Sequence, residues 1–272
     1  MKSSLVRTCS AVLPLFALVA CSANLGDEVG GTEDEVVSGG APDGGAPDAP
    51  YGAPTWKVDR TLEVLPFSLW GSGPDDMYAT TPGRAGGQQP KGLPAPYLHY
   101  DGKKWSSVVG HEFTAIAGSA KNDVWGLTAD DVDGGVSTTA WHFDGYGWKD
   151  AGRLENFYNH MYASAPNDVW AVGGNGVVAH YDGRSWSNQS SGPPSKPGGT
   201  TFLVRVWASG PNNVWATGFD LVEDPNNFSQ TPVLRHFDGY AWSAVPVPDG
   251  AAQNSLGEIW GTAPNDVWMT GD

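Results

Sequence analysis

Two short motifs alternate along this chain, and they constrain its fold more than any other feature. The first is an Asp/Asn-Val-Trp triplet, found at residues 123–125, 168–170, 213–215 and 266–268, with a weaker Asp-Met-Tyr copy at 76–78. The second is a His-Tyr/Phe-Asp-Gly segment that begins at His99, His142, His180 and His236 and is soon followed by Trp. The triplets recur every 45 to 53 residues. Such a period is typical of a fold in which one supersecondary unit is stacked repeatedly.

The third copy is the shortest and shows the strand pattern of one repeat best. Residues 159–163 and 168–172 predict two strands, separated by a Ser-Ala-Pro-Asn turn. The Gly-Gly-Asn-Gly segment at 173–176 predicts a reversal into a third strand at 177–181. Asp182 and Gly183 form the pair favoured in tight hairpins and predict a fourth strand around Trp186. Helical periodicity is absent, so each repeat is predicted to be a four-stranded antiparallel meander.

Stacked meanders of this period predict an all-β fold, namely a β-propeller of four-stranded antiparallel blades over residues 55–272. The copies amount to about four full blades plus a partial fifth. Trp56 and its neighbours repeat the fourth-strand pattern around Trp105 and Trp242, so an outer strand is available to close the ring. Residues 259–271 supply only two strands of the fifth blade. Either that blade is deficient or the chain is a fragment with an incomplete ring. We expect a fragment, because an unpaired strand edge is an aggregation hazard.

The first twenty residues are a segment of another kind. Lys2 and Arg7 precede an apolar run at 11–19 that is too short to span a bilayer as a helix, which predicts a cleaved signal peptide over residues 1–20. The Leu-Val-Ala-Cys sequence that ends at Cys21 resembles the lipobox of bacterial lipoproteins. This resemblance implies a diacylglycerol on the Cys21 thiol and an acylated membrane anchor. Ser22, in place of Asp, implies sorting to the outer membrane of a Gram-negative envelope. The alternative is an ordinary signal peptide that leaves Cys21 as a free thiol.

Residues 21–54 are rich in Gly, Pro, Ala and acidic residues, which predicts a disordered tether between the lipid and the propeller. The formal net charge of the chain is −15, and it becomes −17 when Lys2 and Arg7 leave with the signal peptide. So acidic a chain repels phosphate backbones, which argues against a nucleic-acid partner. Cys9 leaves with the signal peptide, so the mature chain has no cysteine pair and no disulfide is expected.

From about residue 55 onward, the repeats resemble those of bacterial propellers that read Gly-Ser-x-x-Asp-Val-Trp-Ala-Val-Gly and His-Tyr-Asp-Gly-x-x-Trp. Repeats of this type are common in predicted lipoproteins and are loosely similar to Asp-box, kelch and tectonin repeats. The likeness to tectonin repeats implies a lectin-like, sugar-binding function. The likeness to Asp-box propellers implies a sialidase-like glycosidase. The resemblance thus implies the fold and leaves the ligand open.

Candidate metal ligands are present but poorly arranged. Each repeated histidine lies on the third strand of its own blade, so the four cannot converge on one ion, and a partner within the blade is expected for each. Asp130, Asp131 and Asp133 could offer carboxylate oxygens to calcium, but they lack the EF-hand pattern, so a solvated loop is the expectation. We therefore expect no metal and no other cofactor.

Catalytic motifs are also missing from the sequence. It contains no nucleophile elbow, no metalloprotease helix and no phosphate loop, and its arginines are scattered rather than clustered as a sialidase requires. We therefore expect no enzyme. The favoured function is an envelope-displayed binding or scaffold propeller with a glycan or protein ligand. The alternatives are a glycan-cleaving enzyme on the same fold and a purely structural surface lipoprotein. The oligomeric state is left open.

Aligning the first strands of the repeats indicates where a ligand would bind. The long segments at 81–96, 128–139 and 219–232 are predicted second-to-third loops, and 188–201 is a predicted crossover, so all four emerge on one face. The alignment column that faces the central channel there reads Ser68, Ala115, His160, Arg205 and Glu258. We expect its polar members to converge at the channel mouth as a ligand site. The alternative is unrelated polar residues in a wet channel.

The tryptophans divide into two groups. Those that recur at one position of most repeats are expected to pack between neighbouring blades. Trp141 differs, because other repeats place Leu98, Ala179 or Arg235 at its position. We therefore expect Trp141 to be an exposed aromatic that could contact a ligand.

Overall fold

Runs of Val, Trp, Tyr and Thr fold into eighteen strands in the part of the chain that the structure describes. The computed structural model describes residues 67–81, 97–132, 135–224 and 227–271. The predicted signal peptide, Cys21, the tether and Trp56 lie outside these residues. The described ranges contain no helix, and hence none that could cross a membrane.

The strands follow one another along the chain in groups of four. The first group is β1 (Ser68–Gly73), β2 (Asp76–Thr80), β3 (Tyr97–Tyr100) and β4 (Trp105–Val108). The second is β5 (Phe113–Ala120), β6 (Asp123–Val132), β7 (Gly135–Phe143) and β8 (Trp148–Leu154). The third is β9 (Tyr158–Ala165), β10 (Asp168–Gly173), β11 (Val177–Tyr181) and β12 (Trp186–Ser190). The fourth is β13 (Thr200–Gly210), β14 (Asn213–Asp224), β15 (Asn227–Phe237) and β16 (Trp242–Val245), and β17 (Leu256–Ala263) and β18 (Asp266–Gly271) follow.

Each group of four forms one antiparallel meander, and β17 pairs with β18 alone, among the described residues. The innermost strands β1, β5, β9, β13 and β17 contact one another in succession, so the five sheets are arranged as blades around a common centre. The protein is therefore a β-propeller, with four full blades and a partial fifth in its described residues. This confirms the fold predicted from the repeat.

Two of the predicted loops are strands instead. The segment at 128–139 is a hairpin in which β6 and β7 stay paired up to Val132 and Gly135. The segment at 219–232 is a hairpin in which β14 and β15 stay paired up to Asp224 and Asn227. Pro232 is tolerated in β15 because the strand there extends past its neighbour β16, whose pairing begins at Leu234. The predicted crossover is shorter than expected, since β12 continues to residue 190 and β13 begins at residue 200.

The two faces of each blade differ in a regular way. We call the face that carries the aromatic cross-strand pair the trailing face; in the third blade this pair is Tyr162 and Trp170. Trp170 packs on Phe237 and Trp242 of the fourth blade, with ring centroids 5.4 and 6.0 Å away. The opposite, leading face carries an aliphatic residue, such as Val206 in the fourth blade, which is buried against the third. Packing between blades therefore places the trailing face of one blade on the leading face of the next.

A carboxylate, or an amide in the fourth blade, stands at the start of the second strand and links the strands of its blade. In the second blade, Asp123 accepts hydrogen bonds from Ser119 Oγ (2.5 Å) and Trp125 Nε1 (3.2 Å), and it bonds His142 Nε2 (2.7 Å). The third blade repeats this arrangement around Asp168. In the first blade, His99 Nε2 is hydrogen-bonded to Asp76 Oδ1 (2.8 Å). In the fourth blade, His236 Nε2 is hydrogen-bonded to Asn213 Oδ1 (2.6 Å). Each repeated histidine thus has a partner in its own blade, as the repeat predicted.

The Asp-Gly turns between third and fourth strands have a fixed geometry. In the third blade, Asp182 Oδ1 accepts the backbone N–H groups of Arg184 and Ser185, both at 2.9 Å. These bonds lower the pKa of Asp182 below its usual value. Gly183 has a φ of 90°, and a Cβ there would lie 2.6 Å from the Cβ of Asn167. The turn therefore requires glycine for its backbone and for the close approach of the neighbouring turn.

Candidate functional site

The innermost strands line a partly open cavity of about 310 Å³ near the centre of the blades. Its lining includes Ser68, His160, Arg205 and Glu258, the four polar residues of the aligned column. Ala115, the fifth member of that column, is fully buried and does not line the cavity. The structure therefore brings the four predicted residues together from four blades. Their role in binding remains a prediction.

The charged part of the cavity is an ion pair between two blades. Arg205 Nε and one of its terminal nitrogens lie 2.7 and 2.6 Å from the Oε1 atom of Glu258. A second terminal nitrogen of Arg205 donates to the carbonyl of Val204 at 2.8 Å. The Glu258 side chain is 66% exposed and that of Arg205 is 23% exposed. Because the Glu258 partner is exposed to water, the pair contributes only about 1 kcal/mol to stability, and its groups are available for a ligand at little cost to the fold.

His160 is the neutral member of the cavity. Its Nδ1 atom accepts the backbone N–H of Val206 at 3.2 Å, which links the innermost strands of the third and fourth blades. Burial, and then the nearby positive charge of Arg205, lower the pKa of His160 to about 3. The ring is therefore uncharged at neutral pH, and with Nδ1 as acceptor its proton lies on Nε2. His160 can offer a ligand a neutral hydrogen-bond donor.

We expect His160 to make the protein less stable in acid. The unfolded chain takes up a proton at this ring below pH 6.5, whereas the folded protein does not until about pH 3, so acid favours unfolding across that interval. Between pH 7 and pH 5 this amounts to about 2 kcal/mol. Urea unfolding measures the free energy of unfolding at the two pH values. From pH 7 to pH 5 this free energy should decrease more in the wild type than in His160→Gln, by that amount. Equal decreases in both proteins would show that the ring is accessible to protons.

The sequence alignment missed three lining residues, Phe67, Leu69 and Asn159. Each is the direct neighbour of a residue in the aligned column, so the adjoining columns of the alignment were the signal that could have found them. Asn159 Oδ1 is buried and lacks a hydrogen-bond partner in the structure. Phe67 is 39% exposed and adds an apolar surface. The cavity thus combines an ion pair, a neutral donor, an unsatisfied acceptor and an aromatic ring.

Trp141 is half-buried rather than exposed, and it does not line this cavity. The ring of His111 lies 4.0 Å from it, centroid to centroid, and Trp141 Nε1 donates to Thr128 Oγ1 at 3.1 Å. Trp141 also packs against the buried cluster that includes Phe113 and Ile116. Trp141 therefore serves the packing of the second blade.

The acidic cluster has no metal geometry in the described residues. Asp130 lies within the β6–β7 hairpin, where its Oδ2 atom accepts a hydrogen bond from Thr139 Oγ1 at 2.5 Å. Asp131 is in strand β6, and Asp133 lies outside the described residues. Across residues 67–81, 97–132, 135–224 and 227–271, no group of three or more His, Cys, Asp or Glu side chains is placed to hold a metal ion. The expectation of a solvated loop at Asp130 was wrong, because cross-strand pairing extends through it.

The sheets and their central cavity define the class of this protein, a β-propeller. Neither a protein-family model nor a curated protein matches the chain. Among solved structures it is similar to YCF48 from Cyanidioschyzon merolae, at 12% identity and a TM-score of 0.36, over 78% of this chain and 94% of that one. It is also similar to YCF48 bound to a D1 peptide, at 11% identity and a TM-score of 0.35, over 76% and 90% of the two chains. A protein from Lactobacillus plantarum matches at 10% identity and a TM-score of 0.34, over 64% and 70%. Similarity at this level does not indicate a ligand or an activity for this chain.

Proposed function

We propose that this protein is a binding propeller, held at the bacterial cell envelope by a lipid on Cys21, whose ligand site is the central cavity. One observation carries the proposal: polar groups from separate blades meet in a single cavity. Arg205 and Glu258 supply both charges, His160 a neutral donor and Asn159 a buried acceptor without a partner. A few convergent polar groups in a concave site are typical of small-ligand recognition.

The ligand class that fits this lining best is a sugar, which makes the function lectin-like. A sugar ring has an apolar face and an edge of hydroxyl groups that both donate and accept hydrogen bonds. Phe67 offers the apolar surface, and the polar residues offer donors and acceptors around it. The cavity volume of about 310 Å³ lies at the small end of ligand sites, which favours one unit of a glycan over a long segment.

A glycan array probed with wild-type protein and two variants tests this site. We expect Arg205→Ala and Glu258→Ala each to abolish the binding that the wild type shows. The melting temperature should stay nearly unchanged, because an ion pair with one partner in water contributes little to stability. Arg184→Ala is the matched control, since Arg184 is an exposed arginine on a turn outside the cavity. Binding that survives both cavity substitutions would remove the cavity as the site.

The two alternative functions give different results in the same assay. A glycan-cleaving enzyme would release free sugar, and it would need two carboxylates about 5–9.5 Å apart. Among the described residues, the cavity lining includes one carboxylate, Glu258, and it is paired with Arg205. A purely structural protein would bind nothing on the array. Binding without product release is therefore the expected result.

The lipid anchor is tested separately from the ligand. Growth with a palmitate analogue should label the wild-type protein, and Cys21→Ala should lose the label because the acylated thiol is gone. Cys9→Ala is the matched control and should keep the label, since Cys9 belongs to the predicted signal peptide. Label that persists in Cys21→Ala would contradict the lipoprotein prediction.

A further inference from the structure

The two charged groups of the central cavity differ in the hydrogen bonds they still have to offer. The Nε atom and one terminal nitrogen of Arg205 both lie against a single oxygen of Glu258, Oε1, at 2.7 and 2.6 Å. The other terminal nitrogen of Arg205 donates to the carbonyl of Val204 at 2.8 Å. Among the described residues, no group donates to the second carboxylate oxygen, Oε2. Every nitrogen of the guanidinium is therefore engaged, whereas one oxygen of the carboxylate is free to accept.

This difference disfavours an anionic ligand. A carboxylate binds arginine best through two parallel hydrogen bonds, and the edge of Arg205 that includes Nε already holds Glu258. A sugar acid would have to displace Glu258 from that edge and leave its negative charge without a partner. The formal net charge of the chain, −15, adds a general repulsion of anions.

A positively charged group on the ligand fits the free oxygen instead. An ammonium would donate to Glu258 Oε2 in a hydrogen bond with a charge on each side, which is stronger than a bond between neutral groups. Repulsion from the cavity itself is small, because His160 is uncharged at neutral pH and Arg205 is the one cation among the described lining residues. Arg205 is in turn neutralised by the Oε1 atom of Glu258.

We propose that the sugar bound in this cavity carries a free amine, held by Glu258 Oε2, as in a hexosamine without an acetyl group. The inference rests on the proposed function, since it assumes that the cavity binds a sugar. The Glu258 side chain is 66% exposed, so water screens the attraction, and we expect the amine to tighten binding by about tenfold. An N-acetyl group would replace the ammonium by a neutral amide and lose that gain.

Calorimetric titration of the full chain with methyl glycosides tests the amine. The probes are the glucose and galactose series, each with a 2-amino, a 2-acetamido and a 2-hydroxy form and with a form that has a carboxylate at C6. At about pH 6, where amines are protonated, the amino form of one series should bind the wild type about tenfold more tightly than its acetamido and hydroxy forms. The carboxylate form should bind most weakly. Added salt should reduce the preference for the amine by screening the attraction.

Two matched variants assign the preference to one carboxylate. Glu258→Gln keeps the size of the side chain and removes its charge, so binding should weaken and the preference for the amino form should disappear. Glu112→Gln is the control and should keep the preference, because Glu112 is an exposed residue outside the cavity. The inference would be overturned by a preference that persists in Glu258→Gln.

The remaining outcomes separate this inference from the function on which it rests. Equal binding of the amino, acetamido and hydroxy forms by the wild type would refute the amine and leave the cavity as a sugar site. Tightest binding of the carboxylate form would refute it in favour of recognition by Arg205. Failure of every form to bind would refute the lectin-like function and this inference together.

Discussion

Replacing Trp170 by alanine is expected to lower the free energy of unfolding by about 3–5 kcal/mol. The indole is 0% exposed and fills the interface between the third and fourth blades. It stacks on His180 at 3.9 Å and meets the rings of Phe237 and Trp242 across the interface. Alanine would leave a cavity that neighbouring strands cannot close without breaking their own hydrogen bonds. Urea unfolding of the two proteins measures the difference.

The matched control is Trp268→Ala, at the equivalent position of the fifth blade. Its ring is 65% exposed, so the free energy of unfolding should change by no more than about 0.5 kcal/mol. A loss below about 1 kcal/mol for Trp170→Ala would mean that the packing between blades contributes little to stability. A large loss for both variants would show that the fifth blade is covered.

Asp168→Ala is expected to lower the free energy of unfolding by a similar amount, about 3–5 kcal/mol, because it removes buried hydrogen bonds. Asp168 is 3% exposed and accepts hydrogen bonds from Ser164 and from Trp170 Nε1, and it bonds His180 at 2.8 Å. Alanine would leave the Trp170 N–H buried without an acceptor and remove the link among three strands. Urea unfolding again gives the difference in free energy.

Asp168→Asn separates the bond to His180 from the bond to Trp170, and the fourth blade, which has asparagine at this position, shows what to expect. There Asn213 bonds His236 at 2.6 Å and donates to Ser209 at 2.8 Å, while Trp215 Nε1 is buried without a partner. The asparagine variant should therefore keep the histidine bond, lose the tryptophan bond and cost about 1–3 kcal/mol. Equal losses for Asp168→Asn and Asp168→Ala would show that the amide cannot replace the carboxylate at all.

The sequence predicted strands best where turn residues bound them closely. In the third repeat each of the first three strands lies within two residues of its predicted limits, and Val177–Tyr181 matches in full. The prediction failed at 128–139 and 219–232, where long insertions between the second and third strands were predicted to be loops. Residues 128–132 pair with 135–139 instead, and residues 219–224 pair with 227–232. The length of an insertion cannot show this, because a residue's place in a hairpin depends on what lies opposite it.

The candidate site was predictable in part for a different reason. Repeats place equivalent residues at equivalent positions, so one aligned column located Ser68, His160, Arg205 and Glu258 around the cavity. The pairing of Arg205 with Glu258 and the neutral state of His160 depend on distances between blades, which sequence spacing does not give. Trp141 was misjudged because His111, which covers it, lies outside the repeated motifs.

Consecutive strands pair within every described blade, and this connectivity has a consequence for the order in which the chain folds. The strand pairing of each described sheet lies within a single repeat, so a blade can be completed without a strand from its neighbours. A finished blade then presents its trailing aromatic pair as a template on which the next blade condenses. A chain that folds from its N-terminus therefore exposes one apolar surface at each step, and the following repeat covers that surface.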